Sequence, residues 1–347
     1  MGTLGTILIA VLVFGLLIFI HELGHFLFAR LFGVTIEEFS IGMGPRLLSK
    51  VSQKTGIRYS LALIPFGGYV AMAGENEECD DPNSFDKKPA WQRFIITVAG
   101  ASVNIIAGFL AMVIYTSVTS IGGTLVYDFP ETDYTVSSQD SGLMAGDRIT
   151  HVDGVSVGIA DELSYEIMRR GYEPLDLTVI RDGQTIVLHD VVFPTDSQSG
   201  QTFGMMDFRV LGKNEKSIFE VLEWSVRKSV LMMRMCWESL FDLITGRYTL
   251  EAVSGPVGIS GAIGDAAAAG IKPLLYMVAM ISINLGIMNL LPIPALDGGR
   301  TLTLLFEMIT RKRIPPKVEN TVNTVGLMVL LGFSFLILIK DVFSIIF

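Results

Sequence analysis

Residues 6–20 carry no charge, and they run straight into His21-Glu22-Leu23-Gly24-His25. With the apolar residues that follow, the stretch reaches the roughly 20 residues a membrane-crossing helix needs. In a helix, His21 and His25 fall one turn apart on one face. Two imidazoles at that spacing can hold one Zn²⁺. Glu22, next to them, is placed to move a proton rather than to bind the metal. The chain has four histidines, so half of them sit here. The competing reading is two structural histidines and a stray carboxylate. Inside a membrane helix ionisable groups are costly and mark function, which favours the metal.

Composition agrees with a membrane setting. Hydrophobic residues make up 50% of the chain and charged ones 18%, and mean hydropathy is +0.52. This describes an integral membrane protein with soluble mass attached. A net charge of -9 offers nothing to nucleic acid. Cys79 and Cys236 form neither a metal-spaced pair nor a disulfide framework. No Lys or Arg precedes Arg30, so the start lacks the positive region of a cleavable signal peptide.

Length and apolarity give four spans, Leu4–Phe32, Phe94–Ile121, Pro273–Leu291 and Val322–Ile346. Arg46, Lys50, Lys54, Arg58, Lys87, Lys88 and Arg93 follow the first span. Arg300, Arg311, Lys312, Arg313 and Lys317 follow the third. The positive-inside rule then puts these loops in the cytoplasm and both termini outside. In that frame the His-Glu-x-x-His motif lies toward the cytoplasmic side.

The expected layout is a polytopic α-helical membrane protein with a membrane-associated β region and an inserted α+β domain. Its segments are 1–33 (first helix), 34–93 (β region), 94–121 (second helix), 122–198 (inserted domain), 199–272 (surface helix and linker), 273–291 (third helix), 292–321 (loop) and 322–347 (fourth helix). Within 34–93, Arg58–Pro65 and Gly68–Met72 read as apolar strands beside a glycine-rich turn at Ser40–Pro45. Two readings stay open: a small surface subdomain, or a sheet near the metal whose edge could take an extended peptide. Glu75–Asp81 is an acidic turn.

Gly100, Ala101, Ser102 and Gly108 give span two surfaces for close packing, and Asn104 reads as an interhelical hydrogen bond or a substrate contact. Within 122–198, Tyr134–Ser138, Arg148–Val155 and Leu175–Val192 read as strands, with Asp-Gly turns at 153–154 and 182–183, and Asp161–Arg170 as a helix. Ser141–Asp147 followed by Arg148-Ile149 resembles the PDZ pattern of membrane and periplasmic proteases. That resemblance implies a peptide or carboxyl-terminal tail as ligand. His151 and His189 read as ordinary residues. Ser217–Thr245 is amphipathic and too charged to span, which suits a helix on a lipid bilayer. Ser254–Gly258 and Ala266–Gly270 read as flexible.

Span three ends in Asn289-Leu290-Leu291-Pro292-Ile293-Pro294-Ala295-Leu296-Asp297-Gly298-Gly299-Arg300. Two prolines break the helix there. Asp297 could cap the next helix. A catalytic zinc, however, takes three protein ligands and keeps one position open, and no other acidic residue approaches a span so closely from that side.

His-Glu-Leu-Gly-His in the first span, the PDZ-like insert and Asn289–Gly299 together resemble the site-2 protease family of intramembrane zinc metalloproteases. Pro65-Phe66-Gly67-Gly68-Tyr69-Val70 and Lys88-Pro89-Ala90-Trp91-Gln92-Arg93 look like that family too. One departure is Ala99-Gly100-Ala101, where members often have proline after the glycine. The resemblance implies that His21, His25 and Asp297 bind Zn²⁺, that Glu22 is the catalytic base, and that Asn289, Pro292 and Pro294 help hold substrate. It implies an endopeptidase of the cytoplasmic membrane acting in regulated intramembrane proteolysis. Its substrates would be single-pass proteins such as anti-sigma factors or remnant signal peptides. The alternatives are a PDZ-bearing membrane receptor with a structural zinc, and a metal transporter. Neither needs a carboxylate beside the first histidine.

Overall fold

The computed structural model describes residues 2–75, 77, 79–131, 134–198, 201–247 and 253–346. Parts of the acidic turn (76 and 78) and of the linkers (199–200 and 248–252) lie outside the described residues. The chain divides into two compact units, Met1–Ala111 with Val253–Phe347, and Met112–Ala252.

The first unit holds most of the apolar length. Helices α1 (Thr3–Leu31), α2 (Ala90–Val118), α6 (Ile271–Leu290) and α8 (Pro316–Ile346) coincide with the four expected spans. At 1.5 Å per residue, α1 is about 43 Å long, enough to cross a hydrocarbon core of about 30 Å. After α1 come β1 (Ile36–Val51), a strand that runs through the turn expected at Ser40–Pro45, and β2 (Arg58–Met72), which joins the two strands expected at Arg58–Pro65 and Gly68–Met72 into one. Each strand folds back at glycines with left-handed backbone, Gly42 and Gly44 in β1 and Gly67 in β2. Phe39 therefore pairs with both Tyr59 and Val70, and Ser40 with both Ser60 and Tyr69. Phe39 also packs on Phe19 and Phe26 of α1, which holds the sheet against that helix. The one buried acid of the sheet, Glu38, takes a two-pronged contact from Arg46 (2.9 and 2.6 Å) and a hydrogen bond from Ser60 (2.6 Å). The Arg46 guanidinium holds its carboxyl below the usual carboxylate range.

Two elements of this unit differ from expectation. The two segments read as flexible, Ser254–Gly258 and Ala266–Gly270, instead supply the two ends of a helix, α5 (Pro256–Ala269), with proline in its first turn and alanines at its end. Its amino end is capped from far away, by Asp341 of α8, which accepts from the N–H groups of Gly255 (3.3 Å) and Gly258 (3.1 Å). The loop after α6 contains helix α7 (Asp297–Thr310).

The second unit is a six-stranded sheet in the order β10-β3-β4-β6-β7, with β5 paired to β4. The strands are β3 (Ile121–Asp128), β4 (Arg148–Val152), β5 (Val155–Ser156), β6 (Leu175–Arg181), β7 (Gln184–Val191) and β10 (Arg209–Lys213). A separate hairpin, β8 (Thr195–Gln198) and β9 (Gln201–Gly204), precedes β10. Both Asp-Gly turns form as expected, with positive φ at Asp153-Gly154 and Asp182-Gly183, the signature of a tight hairpin. The sheet does not end at residue 198, because β10 pairs with β3. Tyr134–Ser138 is not a strand. The Ser138 N–H and the hydroxyls of Ser137 and Ser138 all bind Asp207, so a local polar clasp takes the place of a ladder.

Helix α3 (Ala160–Arg170) is covered by α4 (Ile218–Ile244), which a Ser217–Glu220 capping box starts. The charges of α4 are used here: Asp242 binds Arg169 (2.5 Å), Arg234 binds Glu166 (2.6 Å) and Lys228 binds Asp161 (2.9 Å). Phe219, Val226, Val230, Trp237 and Phe241 of the same helix stay exposed.

Candidate metal centre

Helix α1 sets His21 and His25 with ring centroids 4.9 Å apart and their Nε2 atoms 3.3 Å apart. Helix α2 passes close behind them. Small residues permit the approach: a Cβ on Gly24 would meet Ala99 O at 2.6 Å, and one on Gly100 would strike both imidazoles. This close packing also fixes one ring. His25 Nδ1 lies 2.8 Å from the carbonyl of Ile96. A carbonyl only accepts, so Nδ1 carries the hydrogen and Nε2 keeps a free lone pair. Asn104, a turn beyond Gly100, sits 3.3 Å from His21 Nδ1. Its own main-chain carbonyl accepts from Ser282 of α6 (2.8 Å).

The third side chain arrives from the other end of the sequence. After α6 the chain turns through Leu291–Leu296, and Ala295 adopts left-handed backbone (φ 72). Asn323 of α8 accepts from its N–H at 3.3 Å. Helix α7 then begins tight against α6. A Cβ on Gly298 would collide with the carbonyls of Leu290 and Leu291, and one on Gly299 would meet Ile293 O at 2.6 Å. The Asp-Gly-Gly sequence is thus what allows Asp297 to reach the histidines. Asp297 caps nothing. Its Oδ2 lies 3.1 Å from His21 Nε2 and 3.3 Å from His25 Nε2.

Zinc fits this triangle. Ligands about 2.0–2.1 Å from a tetrahedral zinc stand about 3.3–3.4 Å from one another. The three atoms here stand 3.1, 3.3 and 3.3 Å apart. Asp297 Oδ2 is also buried with no hydrogen-bonding donor, an unmet need that a cation satisfies. His21, His25 and Asp297 form the one such group among the described residues.

A cavity of about 170 Å³ opens on the triangle. Glu22 lines it, as do Tyr69, Val70 and Met72 of β2. Gly68 brings that strand so close that a Cβ there would touch Glu22 Cγ at 3.1 Å. Of the two readings of the β region, the structure favours the sheet beside the metal. A larger space of about 530 Å³ shares Glu75, Asp297 and Arg300 with the first and extends along Asn320 and Asn323 of α8. Arg300 spans the boundary, bound to the carboxylate of Glu75 (2.6 Å) and to its carbonyl (3.1 Å).

Asn289, Pro292 and Pro294 do not line the inner cavity. Pro294 packs against Gly326 of α8. His151 and His189 pair with Thr150 and Asp176, as ordinary residues do. Sequence reasoning missed Ile96, Gly100 and Glu75 as parts of the site. The small residue four before Asn104 was the available signal for Gly100. A backbone carbonyl such as that of Ile96 leaves none.

A model of peptidase family M50 matches residues 9–333. A relative from Clostridium acetobutylicum is 35% identical across 97% of both chains. One from Clostridium perfringens is 35% identical across 97% of this chain and 98% of its own. One from Fusobacterium nucleatum is 33% identical across 98% and 99%. All three carry the name "putative zinc metalloprotease".

Proposed function

The chain belongs to peptidase family M50, the site-2 protease family of zinc-dependent metalloproteases, and from that premise we propose that it is an intramembrane endopeptidase. The observation that carries the proposal is the near-equilateral triangle of His21, His25 and Asp297, built on a helix long and apolar enough to cross a membrane. These three side chains hold the zinc. When bound, zinc acts as a Lewis acid that makes water nucleophilic at neutral pH and polarises the scissile carbonyl. Glu22 accepts the proton of the attacking water and returns it to the leaving amide nitrogen as the C–N bond breaks. The walls of the 170 Å³ cavity limit the solvent around that transfer.

A substrate helix hides its peptide bonds in its own hydrogen bonds, so it must unwind before cleavage. Gly68–Met72 suits this task. In the pairings of β2, that segment bonds β1 on one side, and Tyr69, Val70 and Met72 lie at the cavity. An unwound segment would add to it as a further strand. Asn289, Pro292 and Pro294 would then act on substrate entry from outside the cavity rather than at the cleaved bond. The proposed substrates are single-pass proteins, such as anti-sigma factors or remnant signal peptides, in regulated intramembrane proteolysis. The proposed setting is the cytoplasmic membrane, with both termini outside and the metal toward the cytoplasm. The second unit would be an outside PDZ-like domain that takes a peptide or tail, and the exposed apolar face of α4 would rest on lipid. A receptor or a transporter with the same ligands would have no use for Glu22.

The test is to incubate the purified protein in liposomes with a single-span substrate and map the cut by mass spectrometry. A cut inside the apolar span is expected. Cleavage confined to soluble flanks would refute the intramembrane reading.

A further inference from the structure

The two imidazoles of the centre are not held alike. His25 Nδ1 has a carbonyl, which fixes its tautomer. Among the described residues His21 Nδ1 has only the side-chain amide of Asn104, whose Nδ2 lies 3.3 Å away. Asn104 is 0% exposed, and its Oδ1 is buried without a partner. One end of the amide donates and the other accepts, and a half-turn about its last torsion exchanges them with little change of shape. What the ring must do decides which end faces it. His21 offers Nε2 to the centre. To bind a metal, Nε2 must carry no hydrogen, so Nδ1 carries it and needs an acceptor.

We propose that Asn104 is a positioning residue for zinc, its Oδ1 accepting from His21 Nδ1–H and holding the ring in the tautomer that leaves Nε2 free. It acts on His21 as the Ile96 carbonyl acts on His25. The orphaned Oδ1 gains its donor in the same step. This inference rests on the reading that His21 is a zinc ligand.

The test measures zinc affinity of purified protein by competition with a chelator, for wild type, Asn104→Leu, Asn104→Asp and His21→Ala. Leucine keeps the bulk and removes the acceptor, so zinc should bind about 10–100-fold more weakly. Aspartate can only accept when ionised, and its charge offsets the excess positive charge of Zn²⁺ with one carboxylate. It should therefore stay within a few-fold of wild type. If Asn104→Leu does not fold, Asn104→Ala takes its place in the comparison. Wild-type affinity in Asn104→Leu would overturn the proposal. So would equal weakness in the Leu and Asp variants, which would make Asn104 a matter of packing alone. His21→Ala should lose more affinity than any Asn104 variant. Wild-type affinity there would instead overturn the ligand assignment, and the role of Asn104 with it.

Discussion

At the scale of single residues, the site depends on what is missing as much as on what is present. Gly100 has no side chain because both imidazoles occupy the space a Cβ would take. Gly100→Ala should therefore empty the centre without unfolding the chain. Expected are a loss of most bound zinc by elemental analysis and an unchanged far-ultraviolet circular dichroism spectrum; normal zinc content would contradict the close approach described here. Asp297→Ala, which on the proposed reading removes a ligand, should cost more in zinc affinity, read by competition with a chelator, than the roughly 10–100-fold that a supporting residue is worth. Glu38 tests the sheet. Its folded carboxyl titrates below the ordinary value of 4.5, chiefly because Arg46 grips it. The stabilisation is then complete above pH 4.5 and is lost as pH falls through the lower folded value. Glu38→Gln should remove that acid sensitivity and cost about 1–2 kcal/mol at neutral pH. Protease clipping of the 52–57 turn as a function of pH reads both effects.

At the scale of elements, the spanning helices and the tight hairpins were legible and α5 was not. Apolar length makes a spanning helix in any context, and Asp-Gly makes a tight turn from its own backbone preferences. Helix α5 opens with glycines and a proline, and it takes its cap from Asp341, more than 80 positions away. Sequence periodicity carries no trace of such a partner. The same distance explains the site: His21, Glu22 and His25 announce themselves by spacing, whereas Glu75 and Ile96 join only once β2 and α2 are packed. Tyr134–Ser138 alternates like a strand, yet Asp207, roughly 70 residues on, draws its serines into a clasp. Asp341→Ala should strip two N–H groups of their acceptor and cost about 1–2 kcal/mol, with Asp341→Asn recovering much of it. Thermal unfolding in detergent gives the comparison, and equal melting points for Asp341→Ala and wild type would rule the cap out.

At the scale of the molecule, the chemistry and the six-stranded sheet belong to separate units. The proposed task of the second unit is admission: it excludes a bulky folded ectodomain and passes a trimmed stub. Removing it cleanly means removing 121–247 in favour of a flexible linker, since β10 belongs to the sheet and α4 is ion-paired to α3. That variant should cleave a short stub as wild type does and should also cleave a full-length substrate that wild type refuses. Loss of stub cleavage from a folded, zinc-loaded deletion would make the unit part of catalysis instead.

The central claim is a division of labour, with three side chains holding zinc and Glu22 moving the proton. The most direct test pairs zinc content with turnover in Glu22→Gln. One zinc per chain, as in wild type, with cleavage of a single-span substrate reduced by at least about 100-fold, is the predicted result. Loss of the metal from this variant, or cleavage at the wild-type rate, would contradict the account.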